Sequence, residues 1–241
     1  LLLGGKCYFC KEKISIQYPI IELLTMLLFA LSFLKFGISV KTPFVLLWIS
    51  CLIIMTMTDL KSKLVDCNIA ILMGISGILY NTISFGKSGL LASVIGLVIG
   101  VVILEIIARS GYIFVGTRAM GEADTYVAGA IGAIAGKAVL YPLVYALIAS
   151  MIFIIPMFLY NQYKIGNKKT CVLAVLFITF ILLFERLWQN FFVLGGVIII
   201  ALLLIHSILK NIKQAENRIY LPYVPALAMG TLYYIFFSIN F

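Results

Sequence analysis

Apolar residues run in long blocks along this chain, broken by short polar stretches. A helix needs about 20 apolar residues to cross the hydrocarbon of a bilayer. Blocks near that length lie at 18–35, 43–59, 67–84, 89–109, 123–138, 140–160, 171–187, 190–209 and 221–240. The pattern predicts an all-α fold, a polytopic transmembrane helix bundle of about nine helices. The block at 123–138 is short and meets the next at Lys137 with almost no linker. The polar parts are an N-terminal segment to about residue 17 and loops near 60–66, 110–122, 161–170 and 210–220.

Composition removes the soluble alternative. Of 241 residues, 63% are hydrophobic and 11% charged, and the mean hydropathy is +1.16. Soluble domains are about 45–50% apolar and about 25% charged. The chain opens on Leu1, and "LLLGGK" reads as the tail of an upstream stretch. No cleavable signal peptide is recognisable there.

The net charge of +9 comes without a linear nucleic-acid motif, so loop charge is the first explanation. Place the N-terminus in the cytoplasm and let every block span. Of the 18 Lys and Arg residues, 13 then fall on the cytoplasmic side and 5 opposite, as the positive-inside rule favours. The excess also suits contact with anionic lipid head groups. This topology brings Asp59, Asp66, Glu122 and Asp124 to the cytoplasmic face.

An ionisable group near lipid is costly, so each acid is a functional hypothesis. Asp124 suits the positive N-terminus of a helix, but the residues behind it point further. Ala128, Gly132 and Gly136 recur four apart, and Gly129 and Ala133 widen that face. Small residues at this spacing let helices approach closely in lipid. The helix behind Asp124 is therefore expected to be buried, holding Asp124 in the mouth of the bundle. Gly121 and Ala123 leave the backbone before it uncrowded. Two carboxylates brought together share one proton, because like charges a few ångströms apart cannot both ionise cheaply. One can then activate water while the other donates a proton to a carbonyl, which is aspartic protease chemistry. Asp59 and Asp124 are the pair on offer.

The remaining groups are blander. Glu105 and Glu185 read as interfacial or polar-packing acids. His206 is the one histidine and lies in an apolar run, which argues against imidazole-rich metal catalysis. Cys51, Cys67 and Cys171 read as small buried hydrophobes, while Cys7 and Cys10 form one C-x-x-C. A proton- or cation-coupled transporter using the same acids is the alternative reading. It expects acids at mid-membrane and on both faces, whereas these cluster at one. A non-catalytic assembly scaffold is a third.

The stretch "GGKCYFCKEKISIQYPIIELLT" resembles the bacterial type IV prepilin peptidases, whose pattern there is G-K-C-x-x-C-x-x-x-I-S-x-x-Y-P-x-x-E-L-L-T; every fixed position matches from Gly5 to Thr25. "GTRAMGEAD" resembles the family's G-x-G-D signature, "TDLKSKLVD" the segment of its first catalytic aspartate, and "YLPYVPALAMG" its closing block. The resemblance implies an intramembrane aspartic endopeptidase of the bacterial inner membrane. Such an enzyme removes the basic leader of prepilins or pseudopilins at the cytoplasmic face, after a glycine. Many members then methylate the new N-terminus with S-adenosylmethionine. The resemblance assigns catalysis to Asp59 and Asp124; substrate contact is expected of Glu22, Asp66, Gly121 and Pro225. For Glu22 a helix-packing contact is the equal alternative. A structural zinc site usually takes four ligands; fuller members carry a second C-x-x-C upstream, so Cys7 and Cys10 read as half of a possible zinc site.

The chain departs from the family pattern in places. Ala123 stands where the second Gly is usual and bars a strongly positive φ. Thr125 and Tyr126 replace Lys-Leu. Asp66 occupies the usual Pro position, as a substrate-contacting acid or as a rival to Asp59, with Asp59 preferred. The expected organisation is a cytoplasmic N-terminal segment over 1–17 and a transmembrane aspartic peptidase domain over 18–241, with 171–209 an added helical hairpin.

Overall fold

The computed structural model describes residues 15–115, 120–150 and 223–237, together with Cys10, Glu12, Lys13, Arg118, Tyr160 and Val172. The described elements are helical. They are α1 (Gln17–Phe36), α2 (Lys41–Ser62), α3 (Cys67–Val115), α4 (Glu122–Ala135), a 3-10 turn (Gly136–Ala138), α5 (Leu140–Ser150) and α6 (Val224–Phe237). Three segments, Gln17–Phe36, Lys41–Ser62 and Cys67–Ser110, are long and apolar enough to cross a membrane. The count of nine spans is not reached among the described residues. The blocks at 171–187 and 190–209, and with them the added hairpin, lie outside the described residues. The block at 123–138 is corrected: α4 has 14 residues and rises about 21 Å, short of a hydrocarbon layer about 30 Å thick.

The chain divides into two compact units, one of residues 1–104, 122–147 and 222–241, the other of 105–121 and 148–221. In the first unit, α3 folds back on itself. At Gly86 the backbone leaves the helix with φ 62° and ψ −140°, a conformation that suits a residue without Cβ. Asn81 Nδ2 then lies 2.7 Å from Ser93 Oγ, whereas a straight helix would separate these residues by about 18 Å. The result is a helical hairpin, with a first arm over 67–85 and a second arm from 87 onward.

Helix α4 packs against both arms. Along the first arm, Gly74 faces Ala130 and Gly77 faces Ala133 and Ile134, so the arm runs parallel to α4. Along the second arm, Gly96 faces Gly132 and Gly136, and Gly100 faces Ala128 and Gly129, so this arm runs antiparallel. The small-residue face expected on 128–136 is this contact. A Cβ on Gly132 would sit 2.6 Å from the carbonyl carbon of Gly96, closer than carbon atoms approach.

A polar clasp closes the far end of α4. Asn81 Nδ2 donates to the carbonyls of Ala133 (3.0 Å) and Ile134 (3.1 Å), and Ser93 Oγ donates to Ala133 O at 2.8 Å. Carbonyls at a helix end have no partner in lipid and must be met by protein. This clasp lets α4 stop short of a full span. Helix α6 packs on α2 and α4, and its Gly230 lies against Pro142 and Ala146 of α5. At the last turn of α6, Lys35 Nζ of α1 donates to the carbonyls of Ile235 (2.9 Å) and Phe236 (2.5 Å). The core between these helices is formed by Trp48, Ile49, Leu52, Met55, Met73, Ile131 and Leu227, all fully buried. Trp48 Nε1 satisfies itself on Ser76 Oγ at 2.9 Å. Outward, α1 exposes Ile20, Leu23, Leu24, Leu27 and Leu31, as a lipid-facing helix requires.

Candidate active site

Asp59 lies in the last turn of α2. That helix ends at Lys63, whose left-handed conformation (φ 56°) turns its N–H onto Asp59 O at 3.0 Å. The Asp59 side chain is 0% exposed, and its Oδ2 accepts the backbone N–H of Val224 at 3.2 Å. Val224 opens α6. The first N–H groups of a helix lack internal acceptors and carry partial positive charge, so a buried carboxylate there is stabilised.

Asp124 lies in the first turn of α4 and is 4% exposed. The packing register fixes its level. With Gly74 opposite Ala130 and the helices parallel, the start of α3 at Cys67 stands level with the start of α4. A loop of only four residues, 63–66, joins the end of α2 to that same point. Asp59, Asp124 and Val224 therefore occupy one end of the first unit, and α6 touches the helices of both acids. Two buried carboxylates thus stand at one level, flanked by the starts of two short helices.

The other expected residues take different places. Asp66 is exposed and caps α3, its Oδ1 accepting the Asn68 N–H at 2.9 Å. Glu22 is exposed on α1, in the half of that helix nearer its start. Gly121 is half-buried directly before α4, and Pro225 is half-buried in the first turn of α6, next to Val224. Glu122 is exposed. Cys10 is an exposed free thiol, and Cys7 lies outside the described residues. Among the described residues no group of three or more His, Cys, Asp or Glu could hold a metal. Cys67 is half-buried rather than buried.

Three features escape the sequence pattern. The capping of Asp59 by Val224 joins residues 165 apart, which no local spacing announces. The Asn81–Ser93 clasp left a trace, since an amide and a hydroxyl flank Gly86 inside apolar blocks. In the second unit, Glu105 is a polar-packing acid, as one of its two readings had it, but its pairing with Arg118 carries no local signature. Its carboxylate takes Arg118 Nη2 at 2.6 Å and Arg109 Nε at 2.7 Å, while Arg118 Nε donates to Met120 O at 3.1 Å. The guanidinium thus ties the approach to α4 onto the end of α3.

Comparison with known proteins agrees with the block pattern. Residues 1–36 match the bacterial peptidase A24 N-terminal domain, and residues 46–159 match the type IV leader peptidase family. The chain is similar to the prepilin leader peptidase/N-methyltransferase of Neisseria gonorrhoeae, 33% identical over 60% of this chain and 50% of that protein. It is also similar to proteins of the same description from Bacillus subtilis (41% identical over 30% of this chain and 29% of that one) and Xanthomonas campestris (30% identical over 63% and 52%). The chain spans about half the length, or less, of these relatives. No solved structure matches.

Proposed function

We propose that this chain, which belongs to the type IV leader peptidase family, is an intramembrane aspartic endopeptidase acting on type IV prepilins or pseudopilins. Its dyad is Asp59 and Asp124, and it works at the cytoplasmic face of the inner membrane. The observation that carries this reading is the burial of both carboxylates at one end of a single helical unit. Buried acids among apolar helices are costly and mark sites of proton chemistry.

The mechanism follows from two carboxylates sharing one proton. The ionised member takes a proton from water as the oxygen attacks the scissile carbonyl carbon. The protonated member gives its proton to the carbonyl oxygen. The tetrahedral species then collapses as the leaving nitrogen is protonated. Glu22 and Asp66, both exposed, attract the basic leader. Gly121 precedes Asp124 in the chain by three residues and Pro225 follows Val224, whose N–H meets Asp59; both are assigned to contact with the substrate backbone.

Methylation of the new N-terminus, a second activity in the names of the relatives, would draw on S-adenosylmethionine. Cys7 and Cys10 would supply two of the four thiolates of a zinc site. The peptidase steps involve neither group.

The test is incubation of the chain in detergent with a prepilin, followed by mass measurement of the products. The expected result is one cut after the leader's glycine, retained in Asp66→Ala and lost in Asp59→Ala. Loss in Asp66→Ala with full activity in Asp59→Ala would move the dyad to Asp66.

A further inference from the structure

Among the described residues, one buried side-chain nitrogen or oxygen has no hydrogen-bond partner: Thr56 Oγ1. Threonine inside a helix ordinarily returns its hydroxyl to a carbonyl one turn back. Thr25, Thr82 and Thr231 do so here, each at 2.7 Å. Thr58, two residues further along α2, bonds to Ile54 O at 3.1 Å. Thr56 alone of these departs from the habit. A buried hydroxyl without a partner is costly and rare in native proteins, and it calls for a ligand or a bound water.

Its position supplies the reason. Thr56 precedes Asp59 by three residues on α2, so the two side chains share a face with Cβ atoms about 5–6 Å apart. Helical side chains lean toward the N-terminus, which tips the Asp59 carboxylate back toward Thr56. The Val224 N–H already engages Oδ2 and fixes the carboxylate's rotation.

We propose that the Thr56 hydroxyl and the Asp59 carboxylate together hold the water that attacks the scissile carbonyl; this rests on the aspartic peptidase reading. The water accepts a hydrogen bond from Thr56 Oγ1 and donates one to Asp59. A lone pair remains to point at the carbonyl carbon. On attack the O–C bond forms and the carbonyl π pair moves to its oxygen. That oxygen takes the proton held by Asp124, while the water's proton passes to Asp59. The C–N bond then breaks as Asp59 returns this proton to the leaving nitrogen and Asp124 recovers its own from the hydroxyl. The Thr56 proton stays in place throughout, so Thr56 orients and does not exchange.

Thr56→Val keeps the shape and removes the hydroxyl, while Thr56→Ser keeps the hydroxyl. Cleavage of a prepilin by the purified chain is measured for both beside wild type and Asp59→Asn. Thr56→Val is expected to lower kcat about 10–100-fold, as the loss of one hydrogen bond to the attacking water would, with KM within about twofold. Thr56→Ser is expected to stay within about threefold of wild type. Thr56→Val should melt no lower than wild type, since it removes an unpaired buried hydroxyl; a purely structural role predicts no loss of kcat in that variant. Wild-type kcat in Thr56→Val, with activity lost in Asp59→Asn, overturns this inference alone. Wild-type activity in Asp59→Asn overturns the peptidase reading beneath it.

Discussion

Replacing Asn81 with leucine tests how α4 is held, and so how Asp124 is set at its level. The Asn81 amide makes three bonds, to Ser93 Oγ (2.7 Å), Ala133 O (3.0 Å) and Ile134 O (3.1 Å). Hydrogen bonds between helices in membranes average about 0.6 kcal/mol each, so losing three costs about 2 kcal/mol. Leucine is close in size, so the cavity contribution is small. Ser93 keeps its bond to Ala133 O at 2.8 Å, which prevents a larger loss. The assay is a denaturation series in detergent, with Ser93→Ala and the double variant completing a thermodynamic cycle. Asn81 and Ser93 bond to each other and share one carbonyl, so their effects should be non-additive by about 0.5 kcal/mol or more. Prepilin cleavage should fall along with stability, because the clasp closes the helix whose other end carries Asp124. An Asn81→Leu variant as stable as wild type, or strict additivity with Ser93→Ala, would refute the claim that the clasp replaces the missing length of α4.

Four further outcomes follow from the packing. Gly132→Val drives a side chain onto the Gly96 backbone and should destabilise by about 1–3 kcal/mol, read in the same denaturation assay. Lys63→Gly relieves a left-handed backbone at a non-glycine residue and should stabilise by about 1 kcal/mol, with cleavage unchanged. Asp66→Ala removes the cap of α3 and should cost about 1 kcal/mol of stability while the purified variant still cleaves. Val224→Pro deletes the N–H that Asp59 accepts, at a first-turn position that tolerates proline. Compared with Val224→Ala, which keeps the N–H, it should lower kcat while leaving KM near wild type.

Much of this arrangement was legible in the chain because lipid restricts what a sequence can do. Apolar runs of about 20 residues have one use in a bilayer, so α1, α2 and the two arms of α3 were readable by length alone. The Ala128–Gly132–Gly136 spacing announced a close helix contact, and the contact exists. The acids were legible because carboxylates are rare in such a chain. The end of α4 was legible only in part. The block is short and Lys137 breaks it, but the stop itself depends on Gly136 adopting φ 58° and on an amide donor from Asn81, 52 residues away from the nearer carbonyl. The capping of Asp59 was hidden for the same reason, because a backbone N–H has no sequence signature. Thr56 was hidden differently: among many threonines in helices, only the missing partner distinguishes it.

The central claim is that Asp59 and Asp124 act as one acid–base pair, and the most direct measurement is single-turnover prepilin cleavage by Asp124→Asn. Asparagine keeps the size of the side chain and removes its capacity to carry the shared proton. The rate is expected to fall by at least about a thousandfold while helical content and melting stay near those of wild type. An Asp124→Asn variant that stays folded and cleaves within about tenfold of the wild-type rate would contradict the account.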